Sequence, residues 1–276
     1  MRFSVDHDLH IHSYLSLCST HGHQTPQKIL DYAVKNGLST ICLTDHYWDE
    51  RVPGAKFGGP FLSEFAIWYA MQNTARTDLA LPLPQAENVR FLYGCETEMD
   101  INFRIGISRE EVERRDFIIV PTTHLHMKDF TIPAQERTNE NCAYLWVKRF
   151  EKLLDSGLPF HKVGVAHLTC SLFTPEKTPE NVVECLSLIS NDDMYRLFKR
   201  TAACGMGVEL NFEPKRFVPY RDEVLRPYRI AAECGCKFYL GSDAHVPSNL
   251  DEAKEDFETM VDWLALDEDQ KFKIQA

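Results

Sequence analysis

A chain of 276 residues with 44% hydrophobic and 26% charged side chains is globular in make-up, which excludes collagen-like, disordered and disulfide-framed small folds. Thirty lysines and arginines against 41 aspartates and glutamates leave a formal charge of -11. That balance argues against a broad nucleic-acid or acidic-membrane face, but not against one phosphate in a metal-lined pocket, where local charge dominates. Nine dispersed cysteines, an opening MRFSVDHDLHIH without a signal-like apolar stretch, and no apolar run long enough for a membrane helix predict free thiols in a cytoplasmic setting.

The opening SVDHDLHIH (4–12) predicts a first strand. Thr25 then suits a helix cap and Pro26 its first turn, Ile29, Leu30, Ala33 and Val34 follow at one-face spacing, and Gly37 supplies the stop. LSTICLTDH (38–46) reads as the next buried strand, and VRFLYGCE (89–96), DFIIVPTTH (116–124), KVGVAHL (162–168), GMGVELN (205–211) and CKFYLGSD (236–243) bring the count to seven. Capping boxes are expected at Ser108 with Glu111, Ser190 with Asp193 and Ser248 with Asp251, and a cap followed by proline at Thr178–Pro179. Longer helices are expected over 139–155 and 222–234. Strands alternating with helices, with no break in composition, predict parallel crossovers in one α/β domain spanning 1–276. Segments 47–60 and 125–138 break the repeat and are expected to be substrate-side loops, while the last residues fit a terminal strand or a tail.

Eleven histidines are present, and most fall at predicted strand ends or just beyond them. His10 and His12 are two apart and share one side of an extended strand, with Asp8 of the same parity. His46 closes the second strand, Glu96 the third and His167 the fifth, and Asp243 with His245 follows the seventh. In a parallel α/β fold these side chains would converge at one face, where so many buried polar groups call for metal ions. His7 has the opposite strand parity and His161 precedes a strand, so neither is included.

The same residues carry a resemblance. DLHIHS at 8–13, His21, TDH at 44–46, GCE at 94–96, AH at 166–167 and GSDAH at 241–245 resemble, in this order, the PHP family of polymerase-associated and histidinol-phosphatase phosphoesterases. The resemblance implies a distorted (β/α)7 barrel with a metal cluster, commonly trinuclear, at its C-terminal face. It implies metal ligation by His10, His12, His21, His46, Glu96, His124, His167, Asp243 and His245, with Glu96 bridging two ions. His23 is the alternative to His21, and His126 to His124.

Mostly imidazole donors with two carboxylates suit Zn, Mn or Fe better than calcium, three divalent ions being expected. The expected reaction is hydrolysis of a small phosphorylated metabolite by metal-activated hydroxide, with Glu96, Asp243 and His245 as the catalytic set and the last two able to relay a proton. Histidinol phosphate is the leading specific substrate; a phosphodiester, or a non-phosphoryl substrate of amidohydrolase type, is the alternative. The carboxylated barrel lysine expected of an amidohydrolase is not evident, since Glu96 holds the bridging place. No P-loop or GxGxxG is present, and Glu96 with Glu98 lacks the partners of a glycosidase pair. Arg104, Arg137 and Arg216 are candidates to bind phosphate, and Trp48, Phe57 and Phe61 to wall the leaving group.

Overall fold

The computed structural model describes residues 1–19, 23–55 and 63–274. Its strands are β1 (His7–Ile11), β2 (Thr40–Leu43), β3 (His46–Tyr47), β4 (Arg90–Tyr93), β5 (Cys95–Thr97), β6 (Ile118–Pro121), β7 (Val163–Ala166), β8 (Gly207–Leu210) and β9 (Lys237–Leu240). They pair in parallel throughout, in the orders β1-β2-β4 and β3-β5-β6-β7-β8-β9. The helices between and after them are α1 (Pro26–Asn36), α2 (Glu64–Ala70), α3 (Thr74–Thr77), α4 (Arg109–Arg114), α5 (Asn139–Leu154), α6 (Pro179–Ser187), α7 (Asn191–Cys204), α8 (Pro214–Phe217), α9 (Arg221–Glu233) and α10 (Pro247–Leu264).

Two of the seven predicted strands are each split in two. At 38–46 the interruption is Thr44–Asp45, where the carbonyls share the Glu96 N–H (3.2 Å each) while the other bonds go to the end of β1 and the loop after it. Thr44 N–H donates to Ile11 O (2.8 Å), and the Asp45 carboxylate accepts from Ser13 N–H, Ser13 Oγ and Ser16 Oγ, each at 2.7 Å. The run at 89–96 breaks at Gly94, between β4 and β5, and pairing then resumes with His46 opposite Glu96.

Apart from the first residues of β2, β4 and β9 and half-buried Phe91, strand residues are buried on both faces, as parallel strands flanked by helices require. Ile41, Leu43, Ile118, Val120, Val163, Val165, Val208 and Leu240 face the helices in an apolar cluster that runs from Phe3 to Leu266. Leu9, Cys42, Leu92, Ile119, Ala166 and Tyr239 alternate with them and meet inside with Phe117 and Phe272. An interior shared by strands of both sheets gives the arrangement its barrel-like form. Beside it, His12 N–H donates to Ala244 O (3.0 Å) and Asp243 N–H to His10 O (2.8 Å), so the ends of β1 and β9 lie together.

Local signals set most helix ends. Thr25, Ser108, Thr178 and Ser190 each accept from a first-turn N–H, and Gly37 ends α1 with φ 67°. The Ser248 cap is a correction: α10 begins at Pro247, which suits the first helical position, and Asn249 Oδ1 takes the Val246 N–H at 3.3 Å. At the C-terminus the chain returns to the sheet, with Phe272 N–H on Phe238 O (2.7 Å) and Lys271 Nζ 3.0 Å from Asp6.

The two irregular segments pack on one another. Trp48 and Ala55 join Ala66 and Tyr69 of α2, with Met127 and Phe130, in a third apolar cluster. No described helix is long and apolar enough to cross a membrane.

Candidate metal centre

The C-terminal ends of the strands deliver eight of the nine predicted residues to one place. His10 sits on β1 and His12 one residue past it, His46 on β3, and Glu96 on β5; His124, His167, Asp243 and His245 follow β6, β7 and β9. His10, His12, Glu96 and His167 are at most 2% exposed. Two of the group, His167 and Asp243, adopt φ of 61° and 52°. That left-handed region is uncommon for any residue but glycine, and such strain concentrates at functional sites.

Glu96 lies at the middle. Its Oε1 is 3.2 Å from His167 Nε2, 3.7 Å from His10 Nε2 and 4.0 Å from His124 Nε2. Its Oε2 is 2.7 Å from His46 Nδ1 and 3.5 Å from His12 Nε2. Asp243 approaches from the other side, with Oδ1 3.1 Å from His12 Nε2 and 3.4 Å from His10 Nε2. His10 Nε2 and His12 Nε2 are themselves 3.0 Å apart.

The histidines are oriented from behind. His12 Nδ1–H donates to Ser16 Oγ (2.9 Å), because that hydroxyl gives its own proton to Asp45. His10 Nδ1–H donates to Glu209 Oε1 (2.6 Å), His124 Nδ1–H to Glu98 Oε2 (2.9 Å) and His245 Nδ1–H to the Asp243 carbonyl (2.7 Å). Each bond leaves Nε2 with its lone pair free, the arrangement that ligating histidines adopt. Glu209 also accepts the His167 backbone N–H (3.1 Å), and Glu98 is held by buried Arg149 at 2.8 Å.

Glu209 and Glu98 were not identified as site residues from the sequence. The signal available for Glu209 was a lone acid inside the apolar run GMGVELN, which has no spacing of its own to read. Gly241 in the GSD turn accommodates this carboxylate, since a Cβ there would stand only 2.7 Å from His10 Cβ and closer still to Glu209 Oε1.

Charge in the cluster favours cations. Burial alone would raise the pKa values of Glu96 and Asp243, but neighbouring imidazoles, His46 and His10 for Glu96 and His245, His10 and His167 for Asp243, hold both well below the usual carboxylate range. Burial works against charge on His10, yet Glu209, Glu96 and Asp243 outweigh it and raise its pKa. Burial takes His124 down to about 3, leaving it a neutral donor at physiological pH.

Three buried atoms at the meeting point, His46 Nδ1, Glu96 Oε2 and Asp243 Oδ1, have no hydrogen-bond partner among the described residues. His46 Nδ1 and Glu96 Oε2 are close but not aligned for a hydrogen bond, as two atoms directed at a third body would be. Four overlapping sets have the compactness of an ion site: His12–His46–His245, His10–His12–Glu96–Asp243, His10–His167–Glu209 and Glu96–His124–His167. The residues present therefore fit divalent cations.

His21 lies outside the described residues. Exposed His23 belongs to none of the four sets, and His126 stands on a cavity wall while His124 joins Glu96 and His167. His7 is tied to Asp6 and to Leu240 N–H, away from the cluster.

A cavity of about 250 Å³ opens over the cluster, floored by His46, His124, Asp243 and His245 and walled by Phe65, Trp68, Tyr69, Met127 and Leu172. The arginine candidates do not reach it. Arg104 pairs with Asp100, Arg137 donates to Thr174 O and Pro175 O, and Arg216 binds Glu213 and Lys177 O. Trp48 packs behind the wall, 1% exposed, and Phe57 and Phe61 lie outside the described residues.

A parallel α/β frame that gathers imidazoles and carboxylates around unpaired buried donors defines a metal-binding protein of hydrolase-like design. The family model described as the PHP domain matches residues 8–266, and the chain belongs to that family. Among solved structures it is similar in fold to histidinol phosphate phosphatase from Lactococcus lactis subsp. lactis Il1403, solved in complex with Zn, L-histidinol and phosphate. Identity is 16% over 97% of this chain and 98% of that one, with a TM-score of 0.57. A D-hydantoinase structure aligns at 11% identity over 89% of this chain and 49% of its own, with a TM-score of 0.38. No curated protein gives a significant match.

Proposed function

We propose that this protein is a metal-dependent phosphoesterase acting on a small phosphorylated metabolite, with three divalent ions (Zn, Mn or Fe) in a distorted (β/α)7 barrel formed by residues 1–276. The trio of unpaired buried atoms on His46, Glu96 and Asp243 is the observation that carries this reading. The ligands would be His10, His12, His21, His46, Glu96, His124, His167, Asp243 and His245, with Glu96 shared between ions. Bound there, such ions supply Lewis acidity toward phosphoryl oxygens and an activated water.

The chain's own groups prepare the site. Glu209, Glu98 and Ser16 hold imidazole tautomers so that Nε2 atoms face inward. His245, partly exposed at the cavity floor, and Asp243 are placed to pass a proton to a departing alkoxide. The apolar wall keeps bulk water from the reacting phosphate. With free thiols at all nine cysteines, a reducing cytoplasmic setting suits the molecule.

Histidinol phosphate belongs in the first substrate panel, beside other phosphomonoesters, phosphodiesters, amides and cyclic ureas. The proposal expects phosphate release from monoesters, abolished by chelation and restored by Mn, Zn or Fe. Metal-loaded protein that opens amides and releases no phosphate would overturn it.

A further inference from the structure

The cavity above the cluster has a largely apolar wall. Phe65, Trp68, Tyr69, Met127 and Leu172 form its sides with Cys18, whose thiol lies against His46 and His245, and His126, and no lysine or arginine lines it among the described residues. Asp243 is the one carboxylate among those lining residues, and it faces the cluster, 3.1 Å from His12 and 3.4 Å from His10.

Among the described residues an ammonium on a leaving group would therefore meet no carboxylate on this wall, and the ions expected beneath would repel it. A flat apolar group finds matching surface. The Trp68 ring meets His46 edge-on with centroids 5.2 Å apart, so aromatic wall begins where the cluster ends, and Phe65 meets His126 of the wall likewise at 5.9 Å. About 250 Å³ is ample for one ring, since cavities of about 150 Å³ already take benzene.

We infer that the substrate is a phosphomonoester of an uncharged alcohol bearing a single apolar or aromatic group, in preference to aminoalkyl phosphates, histidinol phosphate among them. This rests on the phosphoesterase reading and narrows it. Phe65, Trp68, Met127 and Leu172 would be the specificity-determining residues, acting on the leaving group and not on the phosphoryl centre.

The test compares metal-loaded enzyme on alkyl phosphates of similar intrinsic reactivity: 2-phenylethyl phosphate, 2-aminoethyl phosphate, phosphocholine and histidinol phosphate. The expected kcat/KM for 2-phenylethyl phosphate exceeds each of the others by about tenfold or more. Leu172→Glu places a carboxylate on the half-exposed wall and is expected to reverse the order of the phenylethyl and aminoethyl esters without changing metal content; Phe65→Glu serves if that variant does not fold. Binding is read independently by calorimetric titration with 2-phenylethylphosphonate and 2-aminoethylphosphonate, which cannot be hydrolysed. Equal affinity for the two phosphonates would overturn the inference, as would preference for phosphocholine, which would make the wall a cage for quaternary ammonium. Turnover of no ester at all would overturn the phosphoesterase reading instead, while the phosphonate titration would still decide the specificity.

Discussion

Glu209 shows how much of the centre depends on residues behind the donors. It takes the Nδ1 proton of His10 and the backbone N–H of His167, two histidines from different strands, with no exposure of its own. Glu209→Gln keeps the shape and removes the charge, so metal affinity is expected to fall about 10–100-fold. A chelator-competition titration would measure this, beside a circular-dichroism spectrum matching wild type; unchanged affinity would reduce Glu209 to packing. His124 and His126 offer a second residue-level test. His124→Ala should lower metal content, whereas His126→Ala should retain it, because only His124 joins Glu96 and His167. The two were hard to separate in PTTHLHM because both lie just past the strand and spacing does not show where the loop turns. HxH was easier to read, since strand parity alone puts His10 and His12 on one side. The partner of His10 is 199 residues away, and no local pattern could reveal it.

Among the elements, the sequence was most informative where structure is decided within a few residues. Thr25, Ser108, Thr178 and Ser190 cap helices through bonds three residues long, and their residue types announce it. The division of two strands depends on pairing across the sheet, through Thr44 with Ile11 and His46 opposite Glu96, which local pattern does not contain. Gly164 on β7 has a similar non-local reason. A Cβ there would sit 2.5 Å from the buried Tyr239 ring, so Gly164→Ala should destabilise by about 1–3 kcal/mol in urea unfolding. The tie between β1 and the C-terminal segment is sensitive to acid. Burial opposes the Asp6 carboxylate, but bonds from His7 and Lys271 bring its pKa down to about 2. A depressed carboxylate stabilises the fold above its unfolded pKa of about 3.9, and this contribution disappears as pH falls from there through about 2. Asp6 is 41% exposed, so solvent screening limits the effect to about 1 kcal/mol or less. Asp6→Asn should therefore unfold slightly earlier than wild type at pH 7 and converge with it only below about pH 2; a deficit that persists there would assign the loss to packing.

For the whole molecule, the parallel α/β order and the gathering of donors at one end were readable because apolar runs recur with helices between them and each run ends in a ligand-type residue. The cavity wall was not. Trp48 was the described aromatic expected there, but Phe65, Trp68, Tyr69, Met127 and Leu172 form it, and only the packing of α2 against the 125–138 segment determines which rings face inward. With ions held by the native cluster as proposed, chelation should lower the melting temperature of wild type and have less effect on variants that have lost a ligand. The central claim is that Glu96 joins divalent ions in a phosphoester-hydrolysing centre, and the most direct measurement is metal content per folded chain with phosphate release, for wild type beside Glu96→Gln at limiting metal. The account predicts more than one bound ion and steady release for wild type, with both reduced in the variant. Equal metal content in the two, or full metal occupancy with no phosphate released from any ester, would contradict it.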